Sequence, residues 1–332
     1  MSFDFSRNLI AAMAKMAPLL LNMQVAQRLS ILAYHRVLAA PDSMRPGEPT
    51  VAEFDWQMRL LREHFSPLPL VEAVERMQSG TLPDRAVCVT FDDGYADNEQ
   101  LALPVLLKYH IPATVFVSTG FLNGGRMWND SVIESLRVHQ GDELDLRDYN
   151  LGQYNLDSFA RRREAAESIL QKIKHLDPAV RIDLVNEIER RVRDLPNDLM
   201  LTDAQLETLS HNDIAIGAHT VNHPILASVS DTIARSEILA GKVYLEDLLK
   251  KEVEVFAYPN GKPGQDYSPE HRDIVKALGF RAAVSTHWGV SSTSSDMLQL
   301  PRFTPWDRGQ FKFALRLMAN YRLGDDLASN AK

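Results

Sequence analysis

The chain has 332 residues, of which 45% are hydrophobic and 24% charged, with a formal net charge of -8 at pH 7. This length and composition allow one large globular domain or two ordinary ones with a sizeable core, and the negative balance leaves no basic footprint for nucleic acid. The single cysteine, Cys88, excludes an intrachain disulfide and suits a reducing compartment.

The first 29 residues read as a segment apart. Ile10 to Met23 is apolar except for Lys15 and Asn22, and Pro18 interrupts it. It is too short and broken to span a bilayer. It lacks a small-residue cleavage site, and Asp4 precedes the first arginine, so it does not read as a secretory signal. An amphipathic helix packed on the domain is expected, with a weak membrane-surface contact as the alternative. The corresponding location is cytoplasmic, or peripheral to a membrane.

Residues 30–322 read as one α/β domain. A first strand, Arg28 to Tyr34, runs into His35. Thr50 then caps a helix through His64, with Glu53 as its capping-box partner. A second helix covers Val71 to Met77. Ala86 to Phe91 is a buried strand, helix Asn98 to Tyr109 follows, and Ala113 to Val117 is the next strand, completing a βαβ unit. Cys88 lies in this apolar run and reads as a buried structural thiol. From about Asn123 to Leu199 the chain is dense in charged residues at helical spacing, and reads as a helical insertion between two barrel strands. Beyond it come strands at Ile214 to Ala218, Glu254 to Tyr258 and Arg281 to Ser285, and a last strand ends near Leu300. Helices at Thr202 to Ser210, Thr232 to Lys250, Pro269 to Leu278 and Gln310 to Tyr321 alternate with them, and residues 323–332 form a tail. Alternating strands and helices without a Gly-rich phosphate loop indicate a closed or nearly closed parallel barrel.

The residues with chemistry lie just after these strands. Thr90-Phe91-Asp92-Asp93-Gly94-Tyr95 supplies two carboxylates, and His219-Thr220-Val221-Asn222-His223-Pro224 supplies two imidazoles spaced i, i+4. Adjacent side chains at a strand end diverge, so one carboxylate can hold a metal while the other faces a water. The two histidines share a face if their segment makes a helical turn. Together these give three ligands and one spare acid or base, as a catalytic divalent metal requires.

The two stretches resemble the first two motifs of the polysaccharide deacetylase family (the NodB-homology domain, carbohydrate esterase family 4), and the resemblance covers roughly residues 30–122 and 200–305. It implies a distorted (β/α)7 barrel. It also implies Asp92 as catalytic base and Asp93, His219 and His223 as metal ligands. Zinc is the expected ion, with cobalt, nickel or manganese as alternatives. The later motifs depart from the family pattern. Ala257 stands where an arginine is usual, and Leu300-Pro301-Arg302 stands where Leu-x-His is usual. Arg302 is therefore expected to pair with Asp92 in place of the absent arginine, and His287 to act as general acid. Tyr95, Trp128 and Trp288 are candidates to stack on a sugar, and Asn260 is a further substrate-binding candidate. His35, in Tyr34-His35-Arg36-Val37, resembles the start of the poly-N-acetylglucosamine deacetylase branch and either borders the site or sits in the core. The implied activity is N-deacetylation of an amino sugar in a polysaccharide or glycan precursor. The alternatives are a related amidase on a small-molecule amide and an impaired carbohydrate-binding protein.

Overall fold

Leu29–Tyr34 (β1), Ala86–Phe91 (β3) and Ala113–Val117 (β4) are buried at every position. Apolar runs with no polar alternate are the mark of parallel strands covered on both faces. In the computed structural model, which describes residues 27–321, these strands join Ala215–Ala218 (β7), Val255–Ala257 (β8), Ala282–Trp288 (β9) and Leu300–Arg302 (β10) in the order β1-β3-β4-β7-β8-β9-β10, all parallel. A two-residue strand, Ser66–Pro67 (β2), adds to β3. The ring closes where Phe303, just beyond β10, meets β1: Ala33 N donates to the Phe303 carbonyl at 2.9 Å and Phe303 N to the Ile31 carbonyl at 2.7 Å. The result is the expected seven-stranded parallel barrel.

Alternation along the strands sorts the core into two layers. Ala86, Cys88, Phe116, Ala257, Val284 and Leu300 fill the interior. Val87, Val89 and Phe91 face out toward the surrounding helices. These helices include Val51–His64 (α1), whereas Leu70–Gln78 (α2) packs Leu70, Ala73, Val74 and Met77 against the interior layer; Leu103–Tyr109 (α3), entered through a π-helical turn at Asn98–Ala102, belongs to the outer layer. Thr50 and Glu53 form the expected capping box. Cys88 is 1% exposed, and burial pushes its thiol pKa up, as befits a structural residue.

The insertion leaves the barrel after β4 and returns before β7, although those strands are hydrogen-bonded neighbours. It holds helices Trp128–Val138 (α4), Phe159–Ile173 (α5) and Pro178–Glu189 (α6) around a core of their own that includes Val132, Leu136, Ile169 and Ile188. Its reading as purely helical needs correction. Glu143–Leu146 (β5) and Gly152–Asn155 (β6) form an antiparallel hairpin, in which Leu144 and Leu146 are buried and Glu143 and Asp145 exposed. Beyond the insertion, Asp203–His211 (α7), Asp231–Leu249 (α8), Pro269–Ala277 (α9) and Gln310–Asn320 (α10) complete the helical layer. The expected amphipathic helix and its membrane contact, up to residue 26, and the tail at 323–332 lie outside the described residues.

Candidate metal centre and active site

Asp92 and Asp93 sit where β3 ends at the barrel mouth. Asp92 N donates to the Tyr34 carbonyl at 3.0 Å, still in ladder register. At Asp93 the chain turns through φ 75°, followed by Gly94 at φ 89°, so the second carboxylate swings away from the first. Only glycine suits the next position: a Cβ on Gly94 would also stand 3.1 Å from Val117 Cγ1.

The histidines come together differently from the expected helical turn. The segment after β7 is a loop, with Thr220 at φ 67° and His223 at φ 50°. Thr220 Oγ1 accepts the His223 N–H at 3.1 Å and closes that loop. From helix α8, Glu237 accepts the backbone N–H groups of Val221 and Asn222 at 3.0 and 2.8 Å and the Asn222 amide at 2.7 Å. Gly217, one pleat below His219, makes room for the Phe116 ring, whose nearest atom would lie 2.4 Å from an added Cβ.

Asp93, His219 and His223 thereby bring one ligand atom each to within 4.8 Å of one another. Asp93 Oδ1 stands 3.5 Å from His219 Nε2 and 3.4 Å from His223 Nε2. Two ligand atoms about 2.1 Å from a shared tetrahedral centre stand about 3.4 Å apart, so the spacing fits a metal ion. The donor chemistry fits as well. His219 Nδ1 donates to the Ala257 carbonyl at 2.7 Å, which leaves Nε2 with its lone pair facing the group. Burial pulls the His223 pKa down to about 3, against the pull of Asp93, and keeps this imidazole neutral as a metal ligand must be.

Arg302 meets Asp92 face to face. Its Nη1 and Nη2 donate to the two carboxylate oxygens at 2.7 and 2.6 Å, and its Nε donates to the Ser285 carbonyl at 2.8 Å. Arg302 is 2% exposed and Asp92 3%. Burial disfavours the Asp92 charge, yet the guanidinium more than offsets this and lowers the pKa.

Both carboxylates and both histidines open into a cavity of about 390 Å³, which His35, Tyr95 and Asn260 also line. His35 is solvent-exposed at the cavity mouth, and the Asp93, Asp92 and Glu48 carboxylates raise its imidazole above its ordinary value.

Four of the expected site residues are placed otherwise. His287 does not line the cavity. β9 extends to Trp288, beyond the expected end at Ser285, and Thr286 faces the cavity, so pleat alternation turns His287 to the opposite side. Trp288 packs on Phe303 and Trp306, each at 5.0 Å between ring centroids. Trp128 is 8% exposed within the insertion core, under the Arg181 guanidinium, and its successors Asn129, Asp130 and Ile133 reach the cavity instead. Tyr95 borders the cavity, but Arg36 covers its ring at 4.7 Å and its hydroxyl donates to Asp130 at 2.9 Å, so it anchors the insertion and offers no stacking face. Residues not anticipated are Arg36, Arg45, Glu48, Asp130 and Thr286 in the lining and Glu237 behind the histidine loop. Of these, only Arg36, beside His35, carried a signal by its place at a strand end.

Comparison with known proteins agrees with this fold. The family model described as polysaccharide deacetylase matches residues 79–283, well over half of the chain. YxkH of Bacillus subtilis, which carries a polysaccharide deacetylase name, is 22% identical over 277 residues, 83% of this chain and 70% of the relative. The poly-beta-1,6-N-acetyl-D-glucosamine N-deacetylase of Staphylococcus aureus is 25% identical over 252 residues, 76% of this chain and 65% of the relative. The chain thus spans somewhat less than two thirds of that enzyme's length. In fold it resembles the Streptococcus pyogenes deacetylase PplD, with a TM-score of 0.60 at 21% identity, covering 88% of this chain and 98% of that one. The chain belongs to the polysaccharide deacetylase family.

Proposed function

We propose that the chain is a metal-dependent hydrolase that removes N-acetyl groups from amino-sugar units of a polysaccharide or glycan precursor, with Asp92 as its general base. The observation that carries this reading is the buried, bidentate Arg302–Asp92 pair in the same cavity as the Asp93, His219 and His223 donor set. A protein that only binds sugar has no use for a buried ionised carboxylate locked beside a metal site. Two nitrogens and one oxygen suit zinc among the divalent ions. The ion would supply Lewis-acid polarisation of the amide carbonyl and an acidified water.

The chain's own residues do the rest. Asp92 accepts a proton from the attacking water as its oxygen bonds to the amide carbon. The backbone N–H of Tyr95 is our candidate donor to the developing oxyanion. The carbon–nitrogen bond then breaks, releasing acetate, and the nitrogen takes a proton and departs as a free amine. We assign delivery of that proton to His35. It lines the cavity outside the donor set, and its surrounding carboxylates favour its protonated form. The sequence likeness to the Staphylococcus aureus enzyme makes a β-1,6-linked N-acetylglucosamine polymer the first substrate to try.

The test pairs metal analysis with acetate release from N-acetylglucosamine oligomers. Asp92→Asn should abolish release and keep its metal, whereas Asp93→Asn should lose metal. Acetate release that persists in Asp92→Asn, or equal metal loss in both variants, ends the assignment.

A further inference from the structure

A second cavity, of about 540 Å³, adjoins the catalytic one and shares Arg45 and Glu48 with it. Both volumes fall in the range of about 300–1,000 Å³ that holds small ligands. The shared wall is fixed. Arg45, 9% exposed, donates to Glu134 at 2.5 Å and to Asp130 at 2.6 Å, and Asp130 also accepts the Tyr95 hydroxyl. The loop carrying Arg45 is thus tied to helix α4 of the insertion, and the boundary between the cavities keeps its shape.

The far side of the second cavity comes from the first turn of helix α5. There Phe159 is 53% exposed, and Arg163 follows one turn later. Arg308 enters from the segment before α10, held by Glu53 at 2.8 Å. Three arginines in the lining are matched by the carboxylates of Asp42, Glu48 and Glu53. A phosphorylated or polyanionic ligand would meet as many acids as bases and gain little. A neutral ring bearing hydroxyls, each both donor and acceptor, can use both kinds of group. Phe159 then offers an exposed aromatic face to the C–H face of such a ring, an apolar contact that needs no charge.

We propose that this second cavity is a subsite for a further pyranose unit, so that the substrate is an extended glycan lying across both cavities. It rests on Phe159 while its acetylated unit reaches Asp92. This builds on the deacetylase reading above and adds that the insertion selects for chain length.

The test uses β-1,6-linked N-acetylglucosamine oligomers and chitooligosaccharides of two to six units. In the wild type, kcat/KM should rise at least tenfold from the shortest to the longest oligomer of the preferred series. In Phe159→Ala and in Arg163→Ala that gradient should flatten about tenfold, mainly through KM. Phe159 is exposed, so its removal leaves the fold in place. A gradient equal to the wild type's in both variants overturns the subsite, and so does a wild-type rate independent of length. The fate of the deacetylase reading is kept separate by calorimetric titration of the hexamers into metal-loaded protein. Binding about tenfold weaker in Phe159→Ala than in wild type supports the subsite even where no acetate is released. Equal affinity, or no binding in either protein, overturns it.

Discussion

Replacement of Arg302 by lysine isolates what a bidentate partner does for Asp92. The guanidinium makes four hydrogen bonds: two to Asp92 at 2.7 and 2.6 Å, one to the Ser285 carbonyl at 2.8 Å, and a longer one to Thr90 Oγ1 at 3.3 Å. Lysine keeps the charge, but its ammonium is a point donor. It cannot bridge both carboxylate oxygens in their plane and also reach Ser285. At least one charge-assisted bond and the Ser285 bond are lost, about 1.5–3 and 0.5–1.5 kcal/mol respectively, so Arg302→Lys should be about 2–4 kcal/mol less stable. The kinetic effect should be larger in kind. With its plane no longer fixed, the Asp92 carboxylate no longer aims at the water, and an error of this sort lowers kcat about 10- to 100-fold. KM and metal content should hold, because Arg302 touches none of the three proposed ligands. Arg302→Met should be worse, since a buried carboxylate without its partner costs about 3–5 kcal/mol. Chemical denaturation, steady-state kinetics and metal analysis on the same preparations decide the matter. An Arg302→Lys enzyme with normal kcat, or one that loses metal as Asp93→Asn does, would refute the positioning role.

Two further substitutions probe the scaffold behind the ligands. Glu237→Gln removes the charge that holds the histidine loop through three hydrogen bonds; metal affinity, read by competition with a chelator, should weaken about 10- to 100-fold with the circular dichroism spectrum unchanged, and an affinity within twofold of wild type would count against it. Gly217→Ala would place a Cβ 2.4 Å from the Phe116 ring inside the barrel; denaturation should report a loss of about 1–3 kcal/mol, and full stability would mean that the ring has room to move.

The barrel was legible because its strands are buried on both faces. Runs such as Ala86–Phe91 and Ala113–Val117 admit no other reading next to capped amphipathic helices; Ala86–Phe91 carries Asp92 to the mouth and Ala215–Ala218 carries His219 there, by chain order alone. What escaped was decided by pairing and packing. His287 was misplaced because the length of β9 settles which side chains face inward, and the apolar run Ala282–Val284 stops four residues before the strand does. In the hairpin β5–β6 only β5 alternates buried leucines with acids, over four residues, while β6 reads Gly-Gln-Tyr-Asn, a signal submerged in the charged helices on either side. The burial of Trp128 depends on α5 and α6 closing over α4, which no local pattern announces. The pairing of Arg302 with Asp92 was readable, since both were placed at the catalytic ends of strands and an unpartnered carboxylate there needs a cation.

Arg302 meets Asp92 from β10, although the family resemblance implies an arginine at position 257 on β8. Ala257 on β8 and Arg302 on β10 flank β9 on either side, and both residues are buried. A guanidinium from either neighbour can converge on a carboxylate at the mouth, because strands of a closed ring aim their inward side chains at one axis. Position 257 still serves the site through its backbone, whose carbonyl orients His219. The same economy appears in the loops. Asp93, Thr220 and His223 all hold left-handed backbone, each at a cost of about 1–3 kcal/mol. They hold it because the surroundings leave no alternative. Val117 crowds Gly94, Gly241 of α8 lies where an added Cβ would stand 2.9 Å from the Thr220 carbonyl oxygen, and Glu237 clamps the loop between them. The strain is therefore borne by barrel packing, which holds the Asp93 carboxylate 3.5 and 3.4 Å from the His219 and His223 imidazoles.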